Sequence, residues 1–118
     1  MSAESDLYTI LSGHAALTAL VSTRIYPDAM PEGTAYPVVV FTRAGTEPIG
    51  TIHGTTHGEF ASMRVECWGK TRTSADAVAA AVNAALVAAK EVPTGRAGGF
   101  DPEAGLFATT IDVTLLAL

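Results

Sequence analysis

The sequence predicts a single α+β domain in which helices pack on one face of an antiparallel sheet. Two short helical patterns stand at the N-terminus, a run of strand patterns follows, and an alanine-rich helix precedes the final strand. Strands and helices therefore do not alternate as they do in βαβ folds. With 118 residues, the chain has the size of one domain with one core. We expect the element order ααβββαβ.

The composition argues against several classes of function. Seven Lys and Arg against twelve Asp and Glu give a formal net charge of -5, the wrong sign for a protein that holds nucleic acid by its phosphates. Only 16% of the residues are charged, so we expect other subunits to cover part of the surface. The longest alanine-rich run, 75–89, is shorter than the roughly 20 apolar residues of a membrane span, which predicts no membrane partner.

The N-terminal third combines two short helices, a short strand and a loop. In both helices apolar residues recur at spacings of three and four, which places them on one face: Leu7, Ile10 and Leu11 in the first, and Leu17, Leu20 and Val21 in the second. Arg24 to Tyr26 is typical of a short strand. Prolines and a glycine in 27–34 predict a loop.

Two longer strand patterns follow and indicate a hairpin. Tyr36 to Arg43 is rich in β-branched and aromatic residues. Residues 60–68 alternate, with Ala61, Met63, Val65 and Cys67 on one face and Ser62, Arg64, Glu66 and Trp68 on the other. The intervening residues outnumber those of an ordinary hairpin loop. We interpret 44–59 as a long hairpin with a flexible tip.

The last third contains the longest helix and the closing strand. Thr73-Ser74 is the expected N-cap of a helix from Ala75 to about Lys90, whose buried stripe is Ala75, Val78, Ala79, Val82, Leu86 and Ala89. Residues 94–105 are rich in turn formers, and 106–118 form the closing strand. Because its end is apolar on both faces, we expect its second face to be covered.

His53 and His57 form the one cluster that suggests metal binding or acid-base chemistry. On a helix this spacing would place both on one face, but Gly54 and Gly58 argue against a helix, and a catalytic zinc needs three protein ligands. Cys67 lies on an apolar strand face, which disfavours a reactive thiolate. The sequence therefore predicts no enzyme, no catalytic residue, no cofactor and no metal. A small ligand- or metal-binding domain, or an enzyme, that uses the His53/His57 loop is the alternative.

Trp68 is the most informative single residue, because it stands on the strand face otherwise given to charges. Such a residue is either half-buried for structural reasons or an interface anchor, since Trp and Arg are enriched at binding hot spots. The apolar end of the closing strand is a second candidate contact. We predict an assembly role in which the candidate interface residues are Trp68, Arg64, Leu116 and Leu118.

Several segments together resemble the small tail completion proteins of long-tailed phages and prophages: Arg24-Ile-Tyr-Pro-Asp28, Tyr36-Pro-Val-Val-Val-Phe, Val65-Glu-Cys-Trp68 and Asp101-Pro-Glu-Ala-Gly-Leu-Phe107. The resemblance covers nearly the whole chain and implies one tail-terminator-like domain, 1–118. It implies a structural protein that forms a ring, usually a hexamer, which caps the tail tube and joins it to the head.

The same resemblance implies the partners and the location. The partners would be further copies of the chain, the tail tube protein and the head connector protein, with DNA only as passing cargo. The implied location is the tail-head junction of the virion, after assembly in the host cytoplasm. A head-closure or connector protein is an alternative within the same setting.

Overall fold

The computed structural model describes residues 3–50 and 56–117. These residues form three helices and five strands. The elements are α1 (Ala3–Ser12), α2 (Ala15–Val21), β1 (Ile25–Pro27), β2 (Val38–Gly50), β3 (Thr56–Gly69), α3 (Arg72–Ala88), β4 (Pro93–Asp101) and β5 (Leu106–Ala117). The predicted α+β class is confirmed, whereas the order is ααβββαββ.

The described strands form one sheet in the order β1-β2-β3-β5-β4. β1 pairs in parallel with the start of β2, and every other neighbouring pair is antiparallel. β2 and β3 are paired from Val38 opposite Trp68 to Gly50 opposite Thr56. Most of the segment interpreted as a long hairpin is thus paired strand, and its tip, 51–55, lies outside the described residues.

The predicted element order is wrong in one respect, because it lacks β4. Pro93–Asp101 pairs with β5, where the sequence predicts only turns. The turn itself is shorter: Asp101 Oδ1 accepts hydrogen bonds from the backbone N–H groups of Glu103 and Ala104 at 3.0 and 3.4 Å, and Gly105 has a φ of 67°. Glycines fill much of β4, so it has no apolar alternation from which a strand could be predicted.

The core lies between the helices and one face of the sheet. The alternation predicted for β3 is confirmed, since its apolar residues are buried there, together with Ile111, Val113 and Leu115 of β5. α1 and α2 contribute Leu7, Leu11, Leu17 and Val21 to the same cluster. The prediction differs at two positions, since Ile10 is only partly buried and Leu20 is exposed. None of the described helices is long and apolar enough to cross a membrane.

α3 begins and ends at positions different from those predicted. Its N-cap is Thr71, whose side-chain oxygen accepts a hydrogen bond from Ser74 N–H at 3.0 Å. At the other end Lys90 has a φ of 65°. Glu91 N–H donates to Leu86 O at 2.8 Å and Lys90 N–H to Val87 O at 3.0 Å, the hydrogen bonds of a Schellman motif. The predicted stripe is buried except for Ala89, which lies beyond the helix and is exposed.

Candidate interaction surface

The candidate interface residues that the structure describes share the face of the sheet opposite the helices, here called the open face. Register and alternation place two rows of side chains on it: Phe60, Ser62, Arg64, Glu66 and Trp68 from β3, and Ala108, Thr110, Asp112, Thr114 and Leu116 from β5. The predicted assignment of Arg64, Glu66 and Trp68 to one face is therefore confirmed. Of the side chains in these two rows only Ala108 is buried, and the others are exposed or half-buried.

Arg64 has a charged partner on the open face. It stands directly opposite Asp112 in the β3–β5 register, and Arg64 Nε donates to Asp112 Oδ1 at 3.1 Å, with the two side chains 52% and 43% exposed. Together with Glu66, Ala97 and Thr110, this pair lines an open groove of about 350 Å³. The groove holds one cation and two carboxylates, so it offers no excess positive charge to a phosphate.

Trp68 lies at one end of the open face, in an apolar environment. Its register neighbours are Val38 on β2 and Ala108 on β5, and both are buried. Trp68 itself is half-buried. Both predicted roles fit this environment. The buried part of the indole packs within the domain, and the exposed part is accessible to a partner.

The opposite end of the open face carries an exposed apolar pair. Leu116 is 48% exposed and Phe60 is 43% exposed, and the two residues are directly opposite in the β3–β5 register. Leu118 lies outside the described residues. Phe60 is not among the predicted interface residues, although the alternation that places Ser62 and Arg64 on the open face extends to it. The pair is a small apolar patch of the kind that an interface buries.

Both edges of the sheet have long stretches with no partner strand among residues 3–50 and 56–117. On one edge β1 covers only residues 39–41 of β2, which leaves the outer side of residues 44–50, here called the β2 arm. On the other edge the outer side of β4 is unpaired, and residues 94–100 are all exposed. Unpaired strand edges are ready templates for pairing with another chain.

Arg72, which the sequence analysis did not single out, anchors β4 from the helix side. Arg72 Nη2 donates to Gly99 O at 2.9 Å, and Nη1 donates to Ala108 O at 3.2 Å. Its guanidinium carbon lies 5.0 Å from the ring centre of Phe107, and that ring is 4.7 Å from the ring of Phe100. The edge strand is therefore held by a bridge between α3, β4 and β5.

The groups considered for chemistry do not form a site among the described residues. His53 lies outside those residues, and so does the side chain of His57, so the alternative based on their loop stays untested. Within the described part of the chain, no group of three or more His, Cys, Asp or Glu side chains could hold a metal ion. Burial raises the pKa of the Cys67 thiol to about 12, so it is protonated at neutral pH.

Comparisons with known proteins agree with the resemblance found in the sequence. A subunit of a solved structure described as "Virion of native gene transfer agent (GTA) particle" matches with a TM-score of 0.75, over 94% of this chain and 90% of that chain, at 21% identity. This match shows a shared fold. No curated protein sequence gives a significant match. The family model described as "Tail completion protein gp17" matches residues 5–116, and the chain therefore belongs to this tail completion family, with a structural role in tail assembly.

Proposed function

We propose that copies of this chain form a ring, a hexamer, that caps the tail tube and joins it to the head. The observation that carries the proposal is the match of the tail completion family to residues 5–116. The fold shared with a subunit of a gene transfer agent virion supports a place in a virion. The protein acts as a structural component without catalytic activity, at the tail-head junction, after assembly in the host cytoplasm.

The free sheet edges support assembly by repeated contacts between copies. β4 and the β2 arm lie on opposite edges of the sheet. A contact between them therefore joins one edge of each copy to the other edge of the next copy. Such a heterologous contact closes into a ring when the rotation between copies divides a full turn. The low proportion of charged residues, 16%, is compatible with subunits that bury much of their surface in an assembly.

The open face supplies the remaining contacts. Phe60 and Leu116 form an exposed apolar pair at one end, and Trp68 stands at the other. We assign these two ends, and Leu118, to contacts with neighbouring copies, the tube protein or the head connector protein. Large apolar and aromatic anchors of this kind contribute most of the binding energy at protein interfaces.

The charges of the open face suit a protein that DNA passes but does not bind. Arg64 is neutralised by Asp112 at 3.1 Å, Glu66 adds a further carboxylate, and the whole chain has a net charge of -5. DNA-binding proteins gain affinity by placing Lys and Arg on phosphates. A joint of this composition would let the genome slide, because few cations are available to hold it.

Mass measurement and tube binding test the proposal. Native mass spectrometry of the purified protein, alone and mixed with purified tail tubes, should show a closed ring, of six copies, on the tube end. Leu116→Ala should weaken ring formation or tube binding about tenfold or more. Val87→Ala is the matched control, because Val87 is an aliphatic residue of α3 that is 58% exposed. A protein that stays monomeric both alone and with tubes contradicts the proposal.

A further inference from the structure

We propose that the outer edge of β4 pairs antiparallel with residues 44–47 of the β2 arm of a second copy of the chain. The sheets of neighbouring subunits then continue into one another through backbone hydrogen bonds. This inference rests on the proposed function, because the ring supplies the second copy. It adds to that function the two strands that meet and the direction in which they run.

The two edges are open to a partner backbone. On β4 the side chains at positions 95, 97, 98 and 99 are Gly, Ala, Gly and Gly, and all are exposed. Side chains this small do not fold over the edge, so its backbone groups stay accessible to a second strand. On β2 the same approach is blocked at residues 39–41 by β1, so the contact falls on the arm. Strand addition at a free edge is a general mode of protein association.

Strand direction favours this pairing. Three successive antiparallel pairs, β2–β3, β3–β5 and β5–β4, make β4 run opposite to β2. Copies related by rotation about a ring axis keep the same strand direction relative to that axis. β4 of one copy and the β2 arm of the next are therefore antiparallel, and the open faces of all copies point to the same side of the ring.

When Ala97 is placed opposite Gly45 in the proposed pair, the offset between the two edges matches the geometry of closed sheets. Ala97 lies in the same row as Thr110 and Glu66, whereas Gly45 lies in the row of Ser62. Four residues separate these rows along β3, or about 14 Å, and the four strands of one repeat are about 19 Å wide. In a ring without axial rise this offset tilts the strands by about 35°, close to the 35–45° of closed barrels.

Two further features limit and position the contact. Pro48 lacks a backbone N–H, so it ends the pairing along the β2 arm and leaves residues 44–47 as the pairing segment. Arg72 holds β4 against β5 before any partner arrives, through its bonds to Gly99 O and Ala108 O. A strand already fixed in position loses little conformational entropy when a neighbour adds to it.

Disulfide trapping between variants that each carry one introduced cysteine tests the inference. Neighbouring strands place side chains of the same face close enough for a disulfide. Glu47 belongs to the open face with Gly95 and Ala97, and a Cβ at Gly95 meets only Asp112 Oδ2, at 3.7 Å. Glu47→Cys protein is mixed with Gly95→Cys or Ala97→Cys protein under mild oxidation, and the products are separated on non-reducing gels. Native Cys67 is buried and stays in every variant.

The face of the sheet supplies the matched control. Arg96 lies between Gly95 and Ala97 but on the other face, so Glu47→Cys with Arg96→Cys should give at least tenfold less mixed disulfide than the better same-face pair. Equal yields in all pairs, or no same-face product, overturn the inference. Native mass spectrometry of the wild-type protein with tail tubes separates the two proposals. Rings without same-face products refute only the strand pairing, whereas a protein that forms no ring refutes the proposed function as well.

Discussion

Replacing Arg72 by Met should loosen β4 and destabilise the domain by about 1.5–3 kcal/mol. The change removes two hydrogen bonds from a charged donor to backbone carbonyls, Gly99 O and Ala108 O, and a longer one to Thr109 Oγ1 at 3.4 Å. It also removes a cation–π contact with Phe107 at 5.0 Å. Hydrogen bonds to charged groups contribute about 1.5–3 kcal/mol each when well buried and a cation–π contact about 0.5–1. The side chain is 41% exposed, so solvent screening reduces the sum to the stated range.

Urea unfolding followed by circular dichroism measures the loss of stability, and hydrogen exchange of the β4 amides measures the loosening. Arg64→Met is the matched control, since Arg64 has an exposed carboxylate partner across the strands and should lose no more than about 1 kcal/mol. Arg72→Lys should keep the charge but not both hydrogen bonds, because Lys lacks the planar fork of Arg. If Arg72→Met loses no more stability than Arg64→Met and its β4 amides exchange at the wild-type rate, then Arg72 does not anchor the edge.

Three further predictions concern single groups. Lys90→Gly should stabilise the domain by about 0.5–1 kcal/mol in thermal unfolding. Glycine removes the penalty of about 1–2 kcal/mol for a left-handed conformation, and the greater entropy of the unfolded chain cancels part of this gain. Lys90→Ala should give no gain in the same measurement. The Arg43 hydrogen bond holds the pKa of Glu4 below its ordinary value of 4.5, so the pair stabilises the fold fully above that value, and the contribution disappears as the pH falls through the folded pKa. Glu4→Gln should therefore cost about 0.5–1 kcal/mol at pH 7, with a difference from wild type that vanishes in acid titrations. Cys67, whose pKa burial raises to about 12, should react with a thiol reagent at pH 8 no faster than the protein unfolds, and at the rate of a free thiol in urea.

Hydrophobic periodicity was sufficient to predict those elements that bury one face in the core. The alternation of 61–68 and the spacing of the apolar residues in α1, α2 and α3 give the buried face of each element, although Leu20, which is predicted on that face of α2, is 39% exposed. Exposed elements leave no such pattern. β4 has no buried residue along its length, so its strand conformation follows from pairing with β5 and from the contacts of Arg72. The choice of Thr71 over Thr73 as the N-cap could not be predicted from the sequence either, because every Ser and Thr at the start of α3 is a competent cap.

The site was predictable to the same extent and for the same reason. Trp68 and Arg64 were predicted because they stand on the polar face of an alternating strand. The same alternation places Phe60 on that face, but its pairing with Leu116 and the hydrogen bond from Arg72 to Gly99 join residues far apart in sequence. A glycine-rich edge strand is costly to order and exposes unpaired backbone groups. The domain nevertheless holds β4 in place with an arginine that also packs on an aromatic ring. Fixing an edge that contributes nothing to the core is physically reasonable when a second chain completes its hydrogen bonds, and this is the strongest reason to expect β4 at the boundary between subunits.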